Sequence, residues 1–129
     1  MTVIKQENKE FGIFNQMGKQ VEGAFAPNSK GLSPIELLEA SLGMCIVISL
    51  QRMFERDGIT VLDHEFSVEV SAKKALEGPS RVERCKVAVT FPEHFTAEYK
   101  KKLIISAERA CTIGNTLKQG VMIDIEETI

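Results

Sequence analysis

Cys45, Cys85 and Cys111 are the three nucleophilic sulfurs of a 129-residue chain. No two of them form a C-x-x-C clip, and the only histidines, His64 and His94, lie in unrelated segments, so no zinc site or other metal centre is expected. Three unevenly spaced cysteines are also too few for a disulfide scaffold. What remains is thiol chemistry: nucleophilic attack by a thiolate and transient disulfide formation. A free thiol titrates near about 8.5 and is only a few per cent ionised at pH 7, so a reactive cysteine needs help from its surroundings.

The three sulfurs differ in setting. Cys85 alternates with Val87 and Val89 and reads as a packed core thiol. Cys45 sits within the most apolar stretch of the chain, where a small hydrophobe is also common. At 100° per residue, however, Ser41, Ser49, Arg52 and Arg56 fall within about 40° of it on a helix, giving that helix one polar stripe. The stripe suggests a cleft; equally, the two arginines suit the solvated last turns, where they offset the helix dipole. Cys111 lies beside Arg109 at the end of one expected helix and the start of another, whose N-terminus is expected to lower its pKa, unless it is simply a buried capping residue. Glu36 and Glu39 fall about 180° and 120° around from Cys45, off the thiol's face. His64 and His94 border strand ends and read as surface residues.

These residues must be held by a fold, and the punctuation of the chain outlines one. Short strands are expected over Thr2–Gln6, Phe11–Gln16 and Lys19–Phe25, broken at Gly12 and Gly18. A loop rich in Pro, Asn, Ser and Gly then leads to Ser33-Pro34-Ile35-Glu36, a capping box with proline at the first helical position. The helix it opens should run to about Arg56, where Asp57-Gly58 stops it. Apolar on nearly every face between Leu42 and Leu50, it should be buried within the fold or between subunits. Alternation then places Phe66, Val68, Val70 and Ala72 on one strand face and Cys85, Val87, Val89 and Phe91 on another. Thr96 is expected to cap a helix ending near Cys111, Thr112 to cap a short helix stopped by Gly120, and Val121, Ile123 and Ile125 to form a last strand. The order implies an α+β fold with a mostly antiparallel sheet and a long buried central helix.

Composition narrows the function. Net charge is −2, and the only basic block is Lys100, Lys101 and Lys102, which excludes nucleic acid as an expected partner. With 43% apolar and 26% charged residues, a folded core is expected in a single domain over residues 1–129. The run Leu42 to Leu50 is far shorter than the roughly 20 residues of a membrane span. Met1 to Glu10 has no apolar region of a secretory signal, so a cytoplasmic location is expected.

Ser33 to Cys45, followed by Ala107-Glu108-Arg109-Ala110-Cys111, Asn115-Thr116-Leu117 and Gly120-Val121, resembles the osmotically inducible protein C (OsmC) and organic hydroperoxide resistance family, and the element order agrees along essentially the whole chain. The resemblance implies an intertwined homodimer with its site at the subunit interface. It implies reduction of small hydrophobic hydroperoxides, with Cys45 as peroxidatic and Cys111 as resolving cysteine, a dithiol reductant and no cofactor. The pattern departs from typical members at Ile35, where they carry Glu, and in having no Arg before Arg52, where they place a cation beside the thiolate. It also has Thr112 where Pro often follows the second cysteine and Glu108 where many members have His. Arg52 or Arg56, from the same or the other subunit, is the expected substitute cation. The alternative is a non-catalytic OsmC-like dimer that binds a small apolar ligand or senses oxidation.

Overall fold

A computed structural model describes residues 1–128. Two compact units divide at Ala40/Ser41, inside one continuous helix.

The first unit, residues 1–40, opens with an antiparallel three-stranded sheet: β1 (Val3–Glu7), β2 (Glu10–Phe14) and β3 (Gln20–Gly23), in that order. Asn8 and Lys9, both at positive φ (52° and 65°), make the two-residue β1–β2 turn, the backbone a type I′ hairpin demands. The expected break at Gly12 is thereby corrected: Gly12 pairs within the sheet, opposite Lys5 and Glu22. The second turn does use Gly18 (φ 85°), with Asn15 Oδ1 accepting from the Met17 and Lys19 N–H groups. At the far end, Ser33 Oγ accepts the Glu36 N–H at 3.3 Å and Glu36 Oε1 accepts the Ser33 N–H at 2.9 Å. The capping box therefore closes in both directions and opens α1 (Pro34–Arg56).

The second unit begins with Ser41 and contains the rest of α1. Gly58 (φ 66°) ends the helix: its N–H bonds the Glu55 carbonyl and the Ile59 N–H bonds that of Phe54, the two crossed hydrogen bonds of a Schellman motif. After one turn of 3₁₀ helix (Asp63–Glu65), β4 (Ser67–Lys74) and β5 (Val82–Thr90) form an antiparallel hairpin. Val68, Val70 and Ala72 face Val89, Val87 and Cys85 across it, as the alternation predicts. The ladder skips Glu83, a bulge that returns Val82, three residues before Cys85, to the same inward face. α1 lies on this hairpin through Gly43, where a Cβ would come within 3.1 Å of Val70 Cγ2. A larger residue there would hold helix and sheet apart.

Leu42, Ile46, Leu50, Met53 and Phe54 of α1 form a core with Phe95, Leu103 and Ala107. Phe54 stands edge-on to Phe66 and Phe95, with centroids 5.3 and 5.8 Å away. By length and composition α1 passes for a membrane span, with a mean hydropathy of 1.4 over 18 residues, but here one face of it is this core. Its burial is one-sided, since Met44 and Ile48 are 64% and 41% exposed.

α2 (Ala97–Ala110) is capped by Thr96, whose Oγ1 accepts the Tyr99 N–H, and α3 (Thr112–Gln119) follows after one residue. Two expectations need correcting. The cap of α3 is not Thr112 but Cys111, which agrees with the alternative reading of that cysteine as a buried capping residue. The expected strand at Val121, Ile123 and Ile125 does not form: residues 121–128 pair with no strand, and these three side chains are 68%, 77% and 94% exposed. Alternation makes a strand only where another edge supplies its hydrogen bonds, and among the described residues the tail pairs with none.

Candidate active site

α1 brings Cys45, half-buried, to the junction of α2 and α3, where Cys111 is buried to 1% exposure. Cys111 belongs to both helices. Its N–H bonds the Ala107 carbonyl and closes α2, while its carbonyl accepts from Asn115 and its Sγ accepts the Gly114 N–H at 3.2 Å, opening α3. Asn115 also ties back to the Arg109 carbonyl through Nδ2, at 3.1 Å, which fixes the angle of the junction.

Both thiols are free, and each shifts the titration of the other. Burial alone would raise the Cys45 pKa, but the Ile113 N–H, the Cys111 thiol, the Thr112 N–H and the more distant charge of Arg52 outweigh it, so Cys45 is more acidic than an ordinary thiol. Cys111 moves the other way. Burial and its hydrogen bond to Cys45 hold the proton on it, and the N–H groups of Gly114 and Ile113 only partly compensate. The two shifts run in opposite directions, so the first proton to leave the pair leaves from Cys45 and the one retained longer is on Cys111.

The expected lowering of the Cys111 pKa by the N-terminus of α3 is therefore corrected. The first-turn N–H groups of Thr112 and Ile113 reach Cys45, a residue distant in sequence, and it is there that the positive end of the helix acts. Among the candidate cations, Arg52 acts on Cys45 through charge alone, whereas Arg56 is engaged by Asp57, with Nε 3.0 Å from Oδ1 and its side chain 65% exposed. Ser49, on the same stripe, is buried and donates to the Cys45 carbonyl at 3.0 Å, satisfying itself within the helix. Cys85 lies on the hairpin's inward face opposite Ala72, packed against the core and away from the other two sulfurs' hydrogen bonds. His64 and His94 are exposed, His94 edge-on to Phe95. Among the described residues no three His, Cys, Asp or Glu side chains gather as a metal site.

Sequence reasoning treated Thr112 only as a cap and a departure from the family pattern and passed over Ile113 and Gly114, because all three act through backbone N–H groups that any residue but proline supplies. A signal was nonetheless present in the string Cys111-Thr112-Ile113-Gly114, a cysteine followed by a glycine within the first turn of a helix. The arrangement sets a thiol more acidic than usual beside a second thiol that holds its proton more tightly.

Residues 27–126 match the family model described as OsmC-like protein. The chain belongs to the OsmC-like family. Solved OsmC-like structures share its fold. An OsmC-like protein from Mycoplasma pneumoniae is 17% identical and superposes with a TM-score of 0.74, covering 92% of this chain and 84% of that one. The organic hydroperoxide resistance protein OsmC of Legionella pneumophila is 15% identical with a TM-score of 0.66, covering 92% and 89%. The organic hydroperoxide resistance protein OhrB of Bacillus subtilis is 17% identical with a TM-score of 0.65, covering 92% and 90%. No match was found among curated proteins. At these identities the likeness to OsmC-like structures speaks for the α+β fold.

Proposed function

We propose that this OsmC-like chain is a cytoplasmic, thiol-dependent reductase of small hydrophobic organic hydroperoxides that works as a homodimer. The supporting observation is the asymmetric thiol pair, with an acidic Cys45 hydrogen-bonded to a proton-holding Cys111. The Cys45 thiolate attacks the terminal peroxide oxygen, the O–O bond breaks, and the departing alkoxide takes the Cys111 proton to leave as an alcohol. Cys45 is now a sulfenic acid and Cys111 a thiolate. Attack of Cys111 on the Cys45 sulfur forms the disulfide and releases hydroxide, which solvent neutralises. A dithiol reductant restores both thiols by exchange. The backbone N–H groups of Thr112 and Ile113 hold the anionic sulfur, and Arg52 adds a screened charge. The exposed apolar side chains of α1, Met44 and Ile48, support assembly with a second copy.

Purified protein is expected to consume cumene hydroperoxide with dithiothreitol as donor, and Cys45→Ser to abolish that consumption. With no reductant present, Cys111→Ser should complete one turnover and stop as the sulfenic acid, trapped by dimedone. Equal consumption by Cys45→Ser overturns the proposal and leaves the non-catalytic ligand-binding or redox-sensing dimer.

A further inference from the structure

We propose that Gly114 is a positioning residue for the two sulfurs, its missing side chain setting how closely the first turn of α3 approaches them. The inference rests on the thiol chemistry proposed above and deepens it. Glycine is, after proline, the poorest residue for a helix interior, and Gly114 lies within α3 without the positive φ that would make glycine necessary. Its reason for being there is space. A Cβ at position 114 would lie 3.3 Å from Cys111 Sγ, 3.5 Å from Cys111 Cβ and 3.7 Å from Leu42 Cδ1. Only the sulfur contact is tighter than carbon and sulfur accept, by a few tenths of an ångström, so it is the sulfur or the turn carrying the methyl that must give.

The same residue donates its N–H to Cys111 Sγ at 3.2 Å, so the sulfur that a methyl would push is the one that caps the helix. Thr112 and Ile113, whose N–H groups face Cys45, lie between cap and glycine on one rigid turn. Any displacement at 114 therefore moves those donors as well. The charged and titrating groups acting on Cys45 are Cys111, from the helix junction, and Arg52, from α1. Neither changes chemically in the variant.

Gly114→Ala is expected to stay folded, with equal or greater helical content, while iodoacetamide labelling of Cys45 at pH 7 slows about 5–10-fold and the midpoint of its pH–rate profile moves up. A role in helix stability alone would change the melting temperature and leave that midpoint where it was. The decisive comparison is a double-mutant cycle with Cys111→Ala, which removes the sulfur that the methyl meets. In that background Gly114→Ala is expected to have no effect on Cys45 labelling. An unmoved midpoint in folded Gly114→Ala overturns the inference, as does an equal slowing in both backgrounds. If Gly114→Ala does not fold, Cys111→Ala/Gly114→Ala decides: folding with the labelling profile of Cys111→Ala supports it, and failure to fold overturns it. A parent Cys45 no more acidic than free cysteine ends the functional proposal itself. An acidic parent with an unmoved variant ends only the role of Gly114.

Discussion

At Cys45 two opposing effects meet on one atom, and their ranking decides what the residue can do. Burial is the largest single influence and works against the thiolate. Four favourable contributions overcome it, three of them hydrogen bonds from the neighbouring thiol and two backbone N–H groups, with Arg52 the smallest. Such hydrogen bonds gain strength from partial burial, whereas the charge of an exposed arginine is screened by water and salt. Arg52→Gln should therefore slow Cys45 alkylation at pH 7 by less than about threefold, an effect that fades in about 1 M salt, where screening acts within about 3 Å. A larger, salt-independent loss would mean that the guanidinium touches the sulfur. The sign with pH is equally definite. Because the folded-state pKa of Cys45 is lowered, its ionisation contributes stability above the unfolded thiol's pKa, and that contribution is lost as pH falls through the folded value. Cys111 behaves in the opposite sense: its raised pKa contributes stability below the unfolded value, lost as pH rises through the folded one.

Elements were legible in the sequence where their signals are local. Ser33 and Glu36 are three residues apart and name the start of α1; Gly58 names its end; strict alternation names β4 and β5. Where the deciding partner is remote, the sequence is silent. At the start of α3 the sequence offers two caps, Thr112 by residue type and Cys111 as a buried capping residue, and the capping atom is the cysteine sulfur. The cradle of Cys45 was invisible for the same reason, since its donors are main-chain groups from a helix far along the chain. Another remote contact joins the end of α1 to α2: the Tyr99 hydroxyl donates to Asp57 Oδ2 at 2.7 Å, while Arg56 holds the same carboxylate. Burial, then this hydrogen bond, raises the Tyr99 pKa from 10.0 to about 12. The contribution is thus complete below pH 10.0 and disappears as pH rises towards about 12. Tyr99→Phe should cost about 0.5–1.5 kcal/mol at neutral pH in urea unfolding, with the difference from the parent shrinking over that alkaline range. A difference that persists undiminished above it would show that the hydroxyl's charge state is irrelevant to the contact.

The molecule as a whole leaves apolar surface in two places. On α1, Met44 and Ile48 are exposed one turn apart, flanking Cys45 in sequence; in the tail, Val121, Ile123 and Ile125 alternate as a strand does but pair with no strand among the described residues. A soluble monomer gains nothing from either, because exposed apolar side chains in register lose the roughly 25 cal/mol per Å² that burial supplies. The tail pattern bears on this point: period-2 alternation is what half-buried strands show, and an edge from another molecule would complete such a ladder. A second copy is the proposed source, and the proposal separates two contributions. Removing the tail after Gly120 takes away strand pairing and leaves α1 untouched; Met44→Glu places a charge on the helix surface and leaves the tail intact. In sedimentation at tens of micromolar, the parent is expected as a dimer, and each change is expected to raise its dissociation constant by at least about tenfold, equivalent to about 1.4 kcal/mol. If Met44→Glu dissociates the dimer and also slows Cys45 alkylation, the thiol lies close to the subunit contact; dissociation with unchanged alkylation would place it within a self-sufficient protomer. A parent that sediments as a monomer would remove the dimer, and the exposed alternation of the tail would then need a partner other than this chain.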